Sequence, residues 1–262
     1  DWSSDVCSSD LIGVRHVGDP DTAREVEVTY VRDGTAHRVR ARGVVLACWN
    51  QIIPWLCPEL PDSQQEALRY GEKAPLVYTN VFLRHWRPLV DAGVSGASAP
   101  GSYHQSLGLS TSLSMGGYTS GQDPDEPAVL RMSRYVYEPG HSRREQHRRG
   151  RRELQRTSFE TFEHNIRDQM ARMFGGHGFD PADDILAITV NRWPHGYSYS
   201  YNPLFEDPRW AFGTPDDRPC VVARQPFGRI TIANADAAAS PHSDAAINEA
   251  YRAVQELRSR LG

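Results

Sequence analysis

The sequence predicts a mixed α/β fold, and three observations carry that prediction. An alternating segment with a hairpin turn feeds a short, continuously apolar run at Gly43–Ala47, the pattern of a strand covered on both faces. A long stretch after Ser142 repeats its apolar residues at helical spacing. A closing run at Arg229–Ala233 passes through small residues into another amphipathic helix. A meander, buried strands and helices to cover them imply mixed sheets with helices packed on them.

The elements follow in order. Residues 1–11, DWSSDVCSSDL, have no periodicity and no initiator Met, and look like the translation of a sequencing adapter. They are set aside as a non-native leader. On that expectation the natural N-terminus lies upstream, and the sequence leaves the compartment open. Val26–Val31 alternates as a half-buried strand, Arg32-Asp33-Gly34 turns, and His37–Arg40 returns. Pro54, Pro58 and Pro61 break up the next stretch, and Asp62 or Ser63 is expected to cap a helix through Leu68. Pro75–Phe82 and Val129–Val136 read as strands, with loops and short strands across Asp91–Gly121.

Ser142-Arg-Arg-Glu145 is a capping box. Its helix is predicted to run to about Phe174 and to stop at Gly175-Gly176. Leu154, Phe159, Phe162, Ile166, Met170 and Met173 form its core side, and the Arg143–Arg156 cluster its solvated side. Asp180-Pro181 caps a short turn before the strand Ile185–Val190. Ser240 or Ser243 should cap the last helix, with Ile247, Ala250, Tyr251, Val254, Leu257 and Leu261 as its packing face.

Composition narrows the function. The chain has 262 residues, 39% hydrophobic and 24% charged, with net charge −4. That balance gives no electrostatic reason for a nucleic-acid partner, and no apolar run reaches the ~20 residues of a membrane span. Lys73 is the only lysine, so there is no Gly-x-x-x-x-Gly-Lys phosphate loop. Cys7, Cys48, Cys57 and Cys220 show no Cys-x-x-Cys spacing, which argues against structural zinc. Gly-x-Ser-x-Gly and His-Glu-x-x-His are absent.

Three segments could carry chemistry. In the closing unit, a strand leads through Asn234-Ala235-Asp236 to a helix start at His242 and Ser243. Small residues there admit a ligand close to the backbone, and a helix start offers N–H donors. Asn234 and Asp236 are candidate cofactor contacts, Asp236 as an acceptor from sugar hydroxyls; an ordinary turn is the plainer alternative. The second segment is the strand end Ala47-Cys48-Trp49, placed where ligands of open α/β sheets lie. The third packs Trp193, His195, Tyr197, Tyr199 and Tyr201 into nine residues. Aromatic faces can hold a cationic amine, and His195 can exchange a proton near neutral pH; packing on a sheet is again the alternative.

VVLACWNQIIPWLCPELP, LVYTNVFLRHW, VNRWPHGYSYSYN and GRITIANADA, in this order and spacing, resemble the spermidine dehydrogenase-like branch of the flavin amine oxidase superfamily. The resemblance runs from Val14 to the C-terminus. It implies a partial Rossmann-type FAD-binding domain over residues 12–60 and 223–262, and a substrate-binding domain with a mixed or antiparallel sheet over 61–222. It implies FAD as cofactor, an amine substrate such as a polyamine, and an electron acceptor. Haem occurs in some relatives, but no Cys-x-x-Cys-His is present here. By resemblance, Asp236 matches the acidic residue on the ribityl–pyrophosphate part of FAD. His242, Ser243 and Ala246 match the helix start at the flavin edge, and Ala47, Cys48 and Trp49 the strand end beside it. Trp193, His195 and Tyr197 are then the catalytic candidates, with Tyr199 and Tyr201 on the substrate.

The chain departs from the family pattern in two places. The Gly-x-Gly-x-x-Gly loop is absent, and the lysine many relatives aim at the flavin should fall near Leu76, whereas Lys73 is offset from it. Asp123, Asp125, Glu126 and Glu138 are candidate polyamine anchors. Two other functions remain open on sequence grounds: a flavoprotein acting on a non-amine, and a non-catalytic relative.

Overall fold

The computed structural model describes residues 9–110, 113–119 and 123–262. The chain divides into two compact units, the residues up to Glu72 with Tyr197–Gly262, and Lys73–Gly196. These boundaries differ from the sequence-based ones at 61 and 222. The helix at Asp62–Leu68 and the aromatic residues from Tyr197 onward lie in the first unit.

The first unit opens with a three-stranded antiparallel meander, β1 (Ser9–His16), β2 (Val26–Arg32) and β3 (Thr35–Ala41). Ser9, Asp10 and Leu11, set aside as leader, pair with Arg32, Val31 and Tyr30. The β2–β3 turn has positive φ at both central residues, Asp33 at 50° and Gly34 at 72°, the turn whose twist matches that of the flanking strands. β4 (Val44–Leu46) follows, and only Leu46 is buried, with Val44 and Val45 half-buried. The expectation of cover on both faces is met only in part, since Val44 and Val45 stay partly exposed; among the described residues β4 also pairs along one edge only. A 3-10 turn at Asn50–Ile52 leads to α1 (Ile53–Leu56), then α2 (Asp62–Leu68). Neither Asp62 nor Ser63 caps α2. Pro61 is the cap residue, without a side-chain bond, and Asp62 is the first helical residue, where its charge favours the helix dipole.

Val14, Val26, Leu46, Ile53, Leu68, Ile230 and Ile232 form the apolar centre of this unit. His16 ties its edges together. Its Nδ1 lies 2.5 Å from Glu59 Oε1, and its Nε2 accepts the Arg229 N–H at 2.9 Å. The second bond places the ring proton on Nδ1, facing the carboxylate. Gly228 makes this possible: it sits at φ 51°, and a Cβ there would lie 2.4 Å from His16 Nε2. Beside Glu59, Cys57 is fully buried. Burial first, and then the Glu59 charge, push its thiol up to about 12.

The second unit is built on β5 (Leu76–Leu83). After α3 (Arg87–Asp91) come the short strands β6 (Gly96–Ser98), β7 (Ser106–Leu109), β8 (Ser114–Met115) and β9 (Tyr118–Thr119), then β10 (Ala128–Tyr135). Two helices, α4 (Arg143–Arg156) and α5 (Phe159–Phe174), are followed by α6 (Pro181–Asp184) and β11 (Ile185–Trp193). The sheet runs β11-β5-β10-β7-β6 and is antiparallel throughout. Period-two alternation sends Val77, Val81 and Leu83 to the core, where Leu130, Met132, Phe162, Ile166, Met170 and Phe174 meet them.

The single long helix expected over 142–174 is two. Thr157 is extended at ψ 124° and ends α4; Ser158 caps α5 by accepting the Thr161 N–H. Ser142 does cap α4 through the Glu145 N–H, while the Glu145 carboxylate turns to Arg149 at 2.9 Å. Phe159, assigned to the core stripe, is exposed at the first turn of α5. The left-handed stop is Gly178 at φ 84°, with Gly175 right-handed. Gly150 of α4 is packed so closely on Val136 that a Cβ would lie 1.9 Å from its carbonyl oxygen.

One polar island interrupts this core. The His104 backbone exchanges two 2.9 Å bonds with the Gln169 amide, and its Nε2 lies 3.3 Å from Thr79 Oγ1. All three residues are buried. Burial, helped by the Arg134 charge, lowers the His104 imidazole to about 4.

The chain re-enters the first unit through α7 (Pro208–Phe212) and α8 (Pro219–Ala223), then β12 (Ile230–Ile232), α9 (Ala235–Ala238) and α10 (Ser243–Leu261). α10 keeps only the C-terminal part of the expected packing face, with Leu257 and Leu261 half-buried and Ala250 exposed. Ile247, Tyr251 and Val254 are exposed, while Glu249 and Ala253 are buried. The inward face is organised by charge. Glu249 accepts from Arg224 at 2.5 Å and from Arg252 at 2.7 Å, and Arg252 also reaches the Ile232 carbonyl at 2.5 Å.

Candidate functional site

β12 and β4 are parallel, with Ile230, Thr231 and Ile232 opposite Val44, Val45 and Leu46. The Ala233 N–H donates to the Leu46 carbonyl at 2.9 Å. Parallel pairing puts both carboxyl ends on one side, so Ala47–Asn50 and Asn234–Asp236 lie next to each other. That is the side on which open parallel sheets bind ligands.

The two strand ends are laced together. Asn234 Oδ1 accepts from the N–H of Asp236 at 2.6 Å and of Ala237 at 3.3 Å. Its Nδ2 donates to the Cys48 carbonyl, and to Asn50 Oδ1 at 3.3 Å. Asp236 Oδ2 accepts the Asn50 N–H at 3.2 Å. Burial, reinforced by the Asp236 charge, raises the Cys48 thiol. Ala47 is exposed, and the indole N–H of Trp49 is buried. Asn234 is the cap residue of α9.

α10 starts at Ser243 with His242 as its cap residue and no side-chain capping bond, so neither Ser240 nor Ser243 caps it. His242 and Ser243 are exposed and Ala246 is half-buried. The first N–H groups of this helix thus carry no side-chain cap, at the positive end of its dipole.

The aromatic segment is divided between the units at Gly196 and Tyr197. Trp193 ends β11 and packs edge-on against Tyr78 at 6.1 Å. His195 and Tyr197 are exposed. Tyr199 and Tyr201 cluster with Tyr70 and Trp210, at ring separations of 5.6–6.3 Å. The Tyr199 and Tyr70 hydroxyls both donate to the Glu206 carboxylate. The Tyr201 hydroxyl accepts the Cys220 N–H at 2.9 Å, and burial raises its ionisation well above the usual phenol range. Tyr199, Tyr201, Asn50 and Asp236 share a cavity of about 20 Å³, room for one water.

Of the acidic candidates, Asp125 pairs with Arg87, and Glu138 pairs with Arg149 and His141. The Lys73 carbonyl accepts from Arg151 at 2.9 Å, and Leu76 is a buried residue of β5. Among the described residues no group of three His, Cys, Asp or Glu could hold a metal ion, and no helix is long and apolar enough to cross a membrane.

The sequence reading missed Asn50, Tyr70, Glu206, Trp210 and Glu249. Trp210 had a local signal, as the far end of the aromatic segment. Glu206 has a near partner in Tyr199, seven residues back, but Tyr70 lies 136 residues from it and Asp236 lies 186 residues from Asn50, beyond any motif window.

The fold that places these residues is that of amine oxidases, in their corresponding part. A putrescine oxidase double mutant redesigned in cofactor binding matches with TM-score 0.62 and 16% identity, over 96% of this chain and 49% of that one. Wild-type putrescine oxidase bound to putrescine matches with TM-score 0.61 and 16% identity, over 96% and 49%. Cyclohexylamine oxidase from Brevibacterium oxydans IH-35A matches with TM-score 0.57 and 14% identity, over 96% and 48%. The chain therefore spans about half the length of these enzymes. No family model and no curated protein matches the sequence.

Proposed function

We propose that the chain is part of an FAD-dependent oxidoreductase that oxidises the C–N bond of a polyamine or another amine. The observation that carries this reading is the laced pair of parallel strand ends, with Asp236 held between them. The sequence resemblance and the fold shared with amine oxidases support it.

The described residues fit one side of such a cofactor. Asp236 is a carboxylate at the strand ends, suited to sugar hydroxyls, and the N-terminus of α10, a 19-residue helix, presents N–H donors with no side-chain cap. Ala47, Cys48 and Trp49 would flank it, with His242, Ser243 and Ala246 near its flavin edge. FAD, when bound, supplies the hydride acceptor for the carbon next to the amine nitrogen. Trp193, His195 and Tyr197 would orient the amine, and His195 is suited to keep its nitrogen neutral. Water then converts the imine to an aldehyde and an amine, and an electron acceptor completes the cycle. Tyr199 and Tyr201, whose hydroxyls are engaged within the protein, would shape the substrate wall by packing.

The sequence has no Gly-x-Gly-x-x-Gly loop, so FAD uptake by this chain alone is expected to be weak and its turnover low. The test is anaerobic titration with spermidine, putrescine and cyclohexylamine in excess FAD. Bleaching of the flavin band by an amine supports the proposal. FAD uptake without bleaching by any of them turns the reading to a non-amine substrate, and a protein that takes up no FAD overturns it.

A further inference from the structure

Asn234 lies at φ 113°, ψ 175°, a region that glycine alone enters readily. Ala239, just past α9, is left-handed as well, at φ 50°. The turn that carries Asp236 is thus bracketed by two residues in costly conformations. An asparagine persists at the first because its side chain makes four bonds, to the N–H groups of Asp236 and Ala237, the Cys48 carbonyl and Asn50 Oδ1. Two amide hydrogens and two lone pairs are its full capacity, so no position is left over for a ligand. Asn50 closes the circuit by donating its N–H to Asp236 at 3.2 Å.

We propose that Asn234 is a positioning residue: it touches no ligand, but fixes Asp236 and the Trp49–Asn50 turn in register, and its four bonds offset the strain of its own backbone. Its functional half rests on the reading of Asp236 as an FAD contact. Its structural half does not need the cofactor.

The test uses the whole chain with Asn234→Gly and Asn234→Ala, each with and without Trp49→Phe. Alanine keeps the strained backbone and loses every bond; glycine loses the bonds and the strain together. Asn234→Ala should melt at least about 4 °C below Asn234→Gly. In Asn234→Gly the Trp49 contribution to fluorescence should shift to the red as its turn loosens, a change absent from the Trp49→Phe background. FAD affinity should fall about tenfold or more in Asn234→Gly although it melts near the parent, a split that a purely structural residue would not produce. Equal melting of the two variants, an unmoved Trp49 emission, or unchanged FAD affinity in Asn234→Gly would each overturn the proposal. A parent chain that takes up no FAD sinks the functional reading, while melting order and emission still decide the role of Asn234.

Discussion

In the second unit, Phe162, Ile166 and Met170 lie against Val77, Val81 and Leu130 in one contiguous apolar cluster. In the first unit, single polar side chains bridge distant pieces of chain. His16 joins Glu59 to Arg229, Gln64 holds the Ala223 and Gln225 carbonyls at 3.0 and 2.6 Å, and Glu249 gathers Arg224 and Arg252. The difference shows in how each unit fails. An apolar core spreads its stabilisation over area, so a truncation costs the lost transfer energy plus the cavity it leaves. A polar tie concentrates the cost in one residue, because losing a partner strands a desolvated group.

The largest effect should come from emptying the apolar core. Phe162→Ala is expected to destabilise the second unit by about 4 kcal/mol, measured by denaturant unfolding. A cost no larger than that of a surface substitution would erase the contrast. Next, Glu249→Ala leaves two arginines without their shared carboxylate and should cost the first unit about 3 kcal/mol. Glu249→Gln, which keeps the shape and one of the two acceptor oxygens, should recover part of it.

The polar island in the second unit sharpens the comparison through pH. His104 is lowered to about 4 in the folded chain from 6.5, so the unfolded chain takes up a proton first as pH falls. Stability should therefore be complete above about pH 6.5 and decline towards pH 4, by about 3 kcal/mol in total. His104→Gln should flatten that window relative to the parent. The smallest effect belongs to the outer face of α10: Ile247→Gln should change stability by no more than about 0.5 kcal/mol. A loss of several times that would mean this face is covered.

What the sequence revealed followed the range of the interactions involved. β2, β5, β10 and β11 were legible because side-chain alternation is local, and the Asp33-Gly34 turn because glycine and aspartate tolerate positive φ. The break at Thr157–Ser158 was missed because the apolar spacing runs on across it, although Ser158 is itself a good cap. The first part of α10 departs from its apolar stripe because Glu249 is held inward by Arg224 and Arg252, while Leu257 and Leu261 further along are half-buried. Of the candidate site, Asp236 and the strand ends were found through strand–turn–helix patterning. The circuit through Asn50, and the bond from Tyr70 to Glu206, depend on pairings that only the folded chain brings together.

Cys57 gives the first unit a built-in clock. A sulfhydryl so reluctant to ionise, and sealed beside Glu59, is nearly inert to alkylating and disulfide-exchange reagents at neutral pH. Its labelling must then wait for the surrounding segment to open, so the labelling rate reports how often that segment opens. Substitutions that loosen the His16–Glu59 tie should speed that labelling, and changes confined to the five-stranded sheet should leave it alone.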